Sequence, residues 1–248
     1  MTEPHEWSAE FTARAARRTA EPEPDWTHAS RLHPAVVRSV QKFQVGESGD
    51  GAHLIANAAT VSDRDYETAI RLFVAEEQNH ARMLAGILGS AGAPTKRAHW
   101  SDTVFVHLRR LLGLRLELMV LAIAEIVALR YYRALADGGD DELLTDVSER
   151  ILDDERHHVP FQCRRLNVAF DGMRAPARIL VKNAWRTLAL GVVVVVAVDH
   201  GSALRACGVT RRTFVVDTMQ LFDAAAAMVF DGVPMRAWSY DEGSGRRR

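Results

Sequence analysis

The sequence predicts an all-α protein, and three observations carry that expectation. Apolar residues recur at helical spacing over most of the chain, and short breaks rich in Gly, Asp and Ser separate those stretches. The one strand-like run, Val192 to Val196, would have no partner strand to satisfy its backbone, so helix is the better reading there too.

Elements follow in order. Residues 1–33 contain Glu-Pro-Glu-Pro and scattered tryptophans without a sustained period, which reads as an N-terminal arm lying on the domain or partly mobile. Pro34 suits a first helical turn, and Val36, Val37, Val40, Phe43 and Val45 continue a first helix to about Ala59. Ser62-Asp63 resembles a helix cap, followed by a stripe from Tyr66 through Ile70, Phe73, Ala81 and Leu84 that ends near Gly89. Gly89 to Trp100 is a connection. Val104 to Leu135 is apolar and helical, with Gly113 a break, and its second part forms the third helix. Asp137-Gly138-Gly139-Asp140 is a turn, and Leu143 to about Phe170 is the fourth helix, closed by Asp171-Gly172. Ile179 to Ala206 and Thr213 to Phe230 are two further helical stretches. The resulting plan is an arm at 1–33, a four-helix bundle at 34–172, C-terminal helices packed on it at 173–232 and a tail at 233–248.

Composition narrows the class. At 248 residues with 48% apolar content the chain can bury a sizeable core. Lys and Arg number 31 against 32 acidic residues, so charge balance points to neither a nucleic-acid nor a membrane partner. Leu188 to Val198 is apolar but ends at Asp199, short of the roughly 20 residues that a membrane span requires. Cys163 and Cys207 are too few for a disulfide framework and form no C-x-x-C pair. With an N-terminus unlike a signal peptide, the expectation is a cytoplasmic protein.

Chemistry concentrates in two Glu-x-x-His motifs, Glu77-Gln78-Asn79-His80 and Glu155-Arg156-His157-His158. Three-residue spacing puts each carboxylate and imidazole on one helix face, where the pair can grip a metal ion. One such motif is weak evidence, since on the order of 0.6 arise by chance at this composition. Repetition makes it stronger: Glu47, Glu77 and His80 map onto Glu125, Glu155 and His158, because 125 − 47, 155 − 77 and 158 − 80 all equal 78. Glutamates at both preceding positions would coincide roughly 0.4% of the time. Thirty residues across each hairpin (77 − 47, 155 − 125) put its midpoint at residue 62 or 140, inside the two assigned turns, so Glu47 faces Glu77 and Glu125 faces Glu155. All six groups can meet at one level.

One Glu from each of two helices plus a Glu-x-x-His from each of two others is the ligand pattern of ferritin-like carboxylate proteins. On these residues the chain resembles the ferritin-like di-iron carboxylate superfamily over about residues 34–170. Its complete second motif looks more like rubrerythrins, bacterioferritins and di-iron oxygenases than classical ferritin. The resemblance implies a ferritin-like four-helix bundle with an internal two-fold repeat plus additional C-terminal helices. It implies that Glu77 and Glu155 bridge two metal ions, that Glu47 and Glu125 are terminal ligands, and that His80 and His158 complete the set. Four carboxylates match two divalent ions, and mixed oxygen and imidazole donors suit two Fe ions, with Mn or a mixed Mn/Fe pair as variants. No catalytic residue beyond the ligands is expected.

Other polar residues carry less. The bland alternative for the six is a set of exposed helix charges, which Glu125 resists because it lies within the apolar run Leu118 to Val127. Glu76 and His157 lie about 100° around the helix from the ligands, for a surface or supporting role. Glu117 is a reserve ligand that breaks the repeat. Asp50 and Asp154 can orient ligand histidines, although a solvated carboxylate is the commoner case. His200 either ends a helix or adds to the site. Tyr131 reads as packing, and Tyr132, two turns from Glu125, as packing or a radical or proton donor.

By resemblance the expected function is a dioxygen-activating di-iron oxidoreductase, an oxygenase or oxidase with a small apolar or aromatic organic substrate. An external electron donor is implied, since no rubredoxin-like cysteine module is present. The alternative is a ferroxidase or iron-handling protein, and a metal-free helical interaction module is a third reading. A homodimer is compatible with the extra helices.

Overall fold

The computed structural model describes residues 7–97, 113–235 and 238. Those residues are helical throughout, with turns and short loops between helices and no strand among them. In chain order the helices are α1 (Trp7–Ala20), α2 (Pro34–Glu47), α3 (Ala52–Ala59), α4 (Arg64–Ser90), α5 (Gly113–Gly138), α6 (Glu142–Ala169), α7 (Ala175–Asp199), α8 (Gly201–Ala206) and α9 (Arg211–Phe230). Residues 98–112, including the first part of the expected Val104–Leu135 stretch, and most of the tail lie outside the described residues.

Backbone contacts divide the chain into two compact units, residues 1–30 with 40–117 and residues 31–39 with 118–248. In the first, α4 is the organising element. Asp63 caps it, accepting a hydrogen bond from the Tyr66 amide at 3.0 Å, and Asp65 and Glu67 in the first turn favour its dipole. Tyr66, Ile70, Phe73, Val74, Ala81, Leu84 and Leu88 are buried at helical spacing, as the sequence predicts.

The N-terminal segment differs from its expectation as an irregular arm. Trp7–Ala20 is a helix that buries Phe11 and Arg14 and packs against α4. The amides of Trp7 and Ser8 donate to the Asp65 carboxylate at 3.2 and 3.1 Å, so α4 supplies the cap of α1. Glu23 pairs with Arg82, and the Trp26 ring lies over Gly86, where a Cβ would stand 2.4 Å from ring carbon Cζ3. The buried side of α1 rests on one phenylalanine and one arginine, with four of its five alanines exposed, which is why hydrophobic periodicity alone does not reveal it.

The expected first helix is also interrupted. Ser48-Gly49-Asp50-Gly51 separates α2 from α3, and Gly51 adopts φ 63°, a left-handed conformation that favours glycine. A Cβ there would meet Val74 at 2.5 Å, so close packing on α4 adds a second reason for glycine. Asp50 is exposed and accepts from the Ala52 amide at 3.1 Å, a local turn contact.

In the second unit, Asp141 caps α6 by accepting from the Leu144 amide at 3.0 Å. The buried stretch from Leu118 to Leu135 makes α5 its core helix, with Tyr131 and Tyr132 fully enclosed. α9 packs on α6 and α7, and Asn167 donates to the Val229 carbonyl at 2.9 Å. Trp185 on α7 donates to the Met119 carbonyl at 2.9 Å, fixing α7 on α5. The predicted single stretch from Ile179 to Ala206 breaks at His200, which ends α7 and precedes α8. By length and composition α7 and α9 are each long and apolar enough to cross a membrane.

Candidate metal centre

Each unit gathers one half of the repeated motif. In the first, Glu47 at the end of α2 meets Glu77 and His80 from adjacent turns of α4, and one ligand atom from each lies within 4.8 Å of the others. In the second, Glu125 from α5 meets Glu155 and His158 from α6 within the same limit. The pairings across each hairpin, Glu47 with Glu77 and Glu125 with Glu155, are those that the 30-residue spacing predicts.

The two clusters share one contact, from each histidine to the glutamate one turn earlier. His80 Nδ1 is 3.4 Å from Glu77 Oε1, and His158 Nδ1 is 3.2 Å from Glu155 Oε2 and 3.4 Å from Glu125 Oε2. In both motifs Nδ1 faces the carboxylate one turn earlier. Both histidines are fully enclosed, Glu47, Glu125 and Glu155 are buried, and the Glu77 side chain is 18% exposed.

Burial sets the electrostatics. Loss of water and then the charge of Glu125 push the Glu155 carboxyl well above the usual carboxylate range, with His158 opposing them. Two ionised carboxylates within 4.8 Å repel by about 3–4 kcal/mol at an effective dielectric constant of roughly 20. Oε1 of Glu125, also buried, accepts no hydrogen bond among the described residues. A divalent cation resolves all three features, since each cluster offers two negative charges, oxygen and imidazole donors and an apolar surround. These buried Glu and His groups can hold a metal ion.

The remaining polar residues sort differently from expectation. Glu76 is not at the surface: it is buried and pairs with Arg18 of α1 at 2.5 Å, on the side of α4 that faces α1. Asp154 is buried rather than solvated. His157 is half-buried, its Nδ1 2.9 Å from the Asp153 carbonyl. Glu117, the reserve ligand, is completely buried and belongs to another group: His53 Nδ1 lies 3.0 and 3.1 Å from its two oxygens, and Asn57 donates to it at 2.6 Å.

His200 lies 2.7 Å through Nδ1 from Ser39 Oγ, which is also 2.7 Å from the Tyr131 hydroxyl. Tyr131 is therefore more than packing, and burial raises its hydroxyl pKa above the ordinary tyrosine range. Tyr132 stacks edge-on against Tyr131 at 5.4 Å and is fully enclosed. The partners His53, Asn57, Arg18 and Ser39 escaped sequence reasoning because they come from distant positions with no shared motif, Ser39 and His200 being 161 residues apart.

No protein-family model matches the sequence, and no curated protein or solved structure shows significant similarity to it. Fold and clusters together define an all-helical protein with buried carboxylate and histidine groups suited to metal.

Proposed function

We propose that the two clusters join in one dinuclear iron centre within a ferritin-like four-helix arrangement, and that the protein is a dioxygen-activating oxidoreductase. The observation that carries the reading is the duplication of one largely buried Glu, Glu, His cluster in which each histidine Nδ1 faces the glutamate one turn earlier. The offset of 78 residues links the clusters in sequence, and four carboxylates balance two divalent ions. In this reading Glu47, Glu77 and His80 would hold one ion and Glu125, Glu155 and His158 the other, the carboxylates of Glu77 and Glu155 being those the resemblance would share between them. Manganese fits the same donors.

A bound pair of ferrous ions supplies reducing electrons and open coordination positions for dioxygen. The protein's part is to hold six donors in place and keep water away. The apolar helices on α5 and α6, anchored by the Trp185 to Met119 hydrogen bond and the Asn167 to Val229 bond, would supply the hydrocarbon walls that an apolar or aromatic substrate needs. An external donor returns the electrons, and a cytoplasmic setting would keep the ions ferrous and both cysteines reduced.

The deciding experiment is anaerobic titration of the metal-free protein with Fe(II), followed by admission of oxygen at an oxygen electrode. Saturation at two irons per chain with oxygen uptake that stops after a single turnover supports the oxidoreductase. Continued iron uptake far beyond two transfers the assignment to a ferroxidase that handles iron. Failure to bind two ions rejects both.

A further inference from the structure

Gln162 is completely buried on α6, and neither its amide nitrogen nor its amide oxygen meets a hydrogen-bond partner among the described residues. Buried polar groups are almost always paired, because an amide taken from water without replacement bonds costs far more than an apolar side chain of its size. The other carboxamide of α6 shows the ordinary outcome: Asn167 donates to the Val229 carbonyl at 2.9 Å. Trp185 and Thr218, both enclosed, reach the carbonyls of Met119 and Phe214 at 2.9 and 2.7 Å.

Position gives the unpaired amide its meaning. Glu155, His158 and Gln162 are three and four residues apart, so they share one face of α6. Gln162 stands about 6 Å along the axis beyond His158, and a helical side chain leans toward the N-terminus, here toward His158. Val159 and Leu166 on the same face are buried and offer no polar side-chain atom to the amide. Methionine or leucine at position 162 would complete an apolar face without the unpaired amide. Glutamine there sacrifices stability beside the cluster, as proteins do where a ligand binds.

Chemistry narrows the ligand. Nε2 donates and Oε1 accepts, so the complementary group presents an acceptor and a donor side by side. A carboxylate answers only Nε2 and adds negative charge near Glu125 and Glu155, and an ammonium answers only Oε1. A primary carboxamide is uncharged and answers both atoms with two parallel hydrogen bonds, while the apolar neighbours suit an apolar body behind it. We propose that Gln162 is a ligand-recognition residue beside the Glu125, Glu155 and His158 cluster and that it binds a neutral primary amide with an apolar body. As a substrate assignment this rests on the oxidoreductase reading above, whereas the binding site itself does not.

Calorimetric titration of the full chain with benzamide, acetophenone and benzoate tests this, on metal-free protein and again after anaerobic loading with Fe(II). Benzamide is expected to bind roughly tenfold tighter than acetophenone, which lacks the donor, or benzoate, which also carries charge. Gln162→Met keeps the side-chain length and removes both bonding atoms. It should weaken benzamide binding roughly 10–100-fold and erase the preference over acetophenone, with the melting temperature of the unliganded protein unchanged or raised. A wild type that binds no benzamide up to about 10 mM in either metal state overturns the inference. So does a melting temperature lowered by more than about 5 °C in Gln162→Met, which would make the amide structural. Benzamide binding that depends on Gln162 in a protein that fails to take up two ions upholds this site and removes the metal reading. Two tightly bound ions with equal benzamide affinity in both proteins removes this inference alone and leaves a buried water on the amide.

Discussion

His158 Nδ1 faces the carboxylate of Glu155, one helical turn earlier on α6, at 3.2 Å, and His80 repeats that relationship with Glu77 on α4 at 3.4 Å. Two histidines with equivalent roles give a stoichiometric prediction. His80→Ala and His158→Ala should each lower tight Fe(II) binding from two ions per chain to about one. Elemental analysis after anaerobic loading and desalting measures it. Loss of neither ion in either variant would show that the clusters are not ligand sets.

The buried Glu155 carboxyl makes metal-free stability depend on pH. Its pKa is raised by burial and by Glu125, so the folded state holds a proton that the unfolded chain releases near its ordinary value of 4.5. That contribution is fully present below the unfolded value and is lost as pH rises through the folded one. Thermal melting of the metal-free protein should therefore show a component falling from about pH 5 upward that Glu155→Gln removes. Metal affinity should strengthen over the same range, because the ion must displace the proton.

Arg18 and Glu76 form an ion pair whose carboxylate is completely enclosed. Removing this cation takes one charged partner from an enclosed carboxylate, so Arg18→Met should lower unfolding free energy by about 1–3 kcal/mol. Adding Glu76→Gln to it should recover most of the loss. Urea denaturation of the two variants and the wild type measures both steps.

Gly138 closes α5 against the backbone before α9, where a Cβ would stand 2.2 Å from the Cys207 carbonyl oxygen. Backbone cannot yield as a side-chain tip can. Gly138→Ala should destabilise by about 1–3 kcal/mol, and Gly191→Ala, with open space around it, should not destabilise the monomer. Melting temperatures of both variants at low protein concentration make the comparison.

Much of the helical order was legible because it is local. Asp63 and Asp141 lie next to the turns that their side chains cap, and the stripe of α4 repeats every three or four residues. The Glu and His clusters were legible for a related reason, since motif spacing and hairpin length both map onto helical rise. The break at Gly51 was hidden because its cause, Val74, is a tertiary neighbour. Glu117 has the look of a spare ligand in sequence because its partners His53 and Asn57 lie 64 and 60 positions away, and Ser39 has no sequence feature that announces His200. Hydrogen bonds between residues far apart in sequence leave no period to detect.

The cap of α1 comes from Asp65, 57 positions downstream of Ser8. During synthesis at about 5–20 residues per second, α1 emerges some 3–11 s before the side chain that satisfies its first amides exists. Short, rich in alanine and without its dock, it stays a marginal helix over that interval. The N-terminal segment thus waits for α4, and in the nascent chain the order of folding in this unit runs against the order of the sequence.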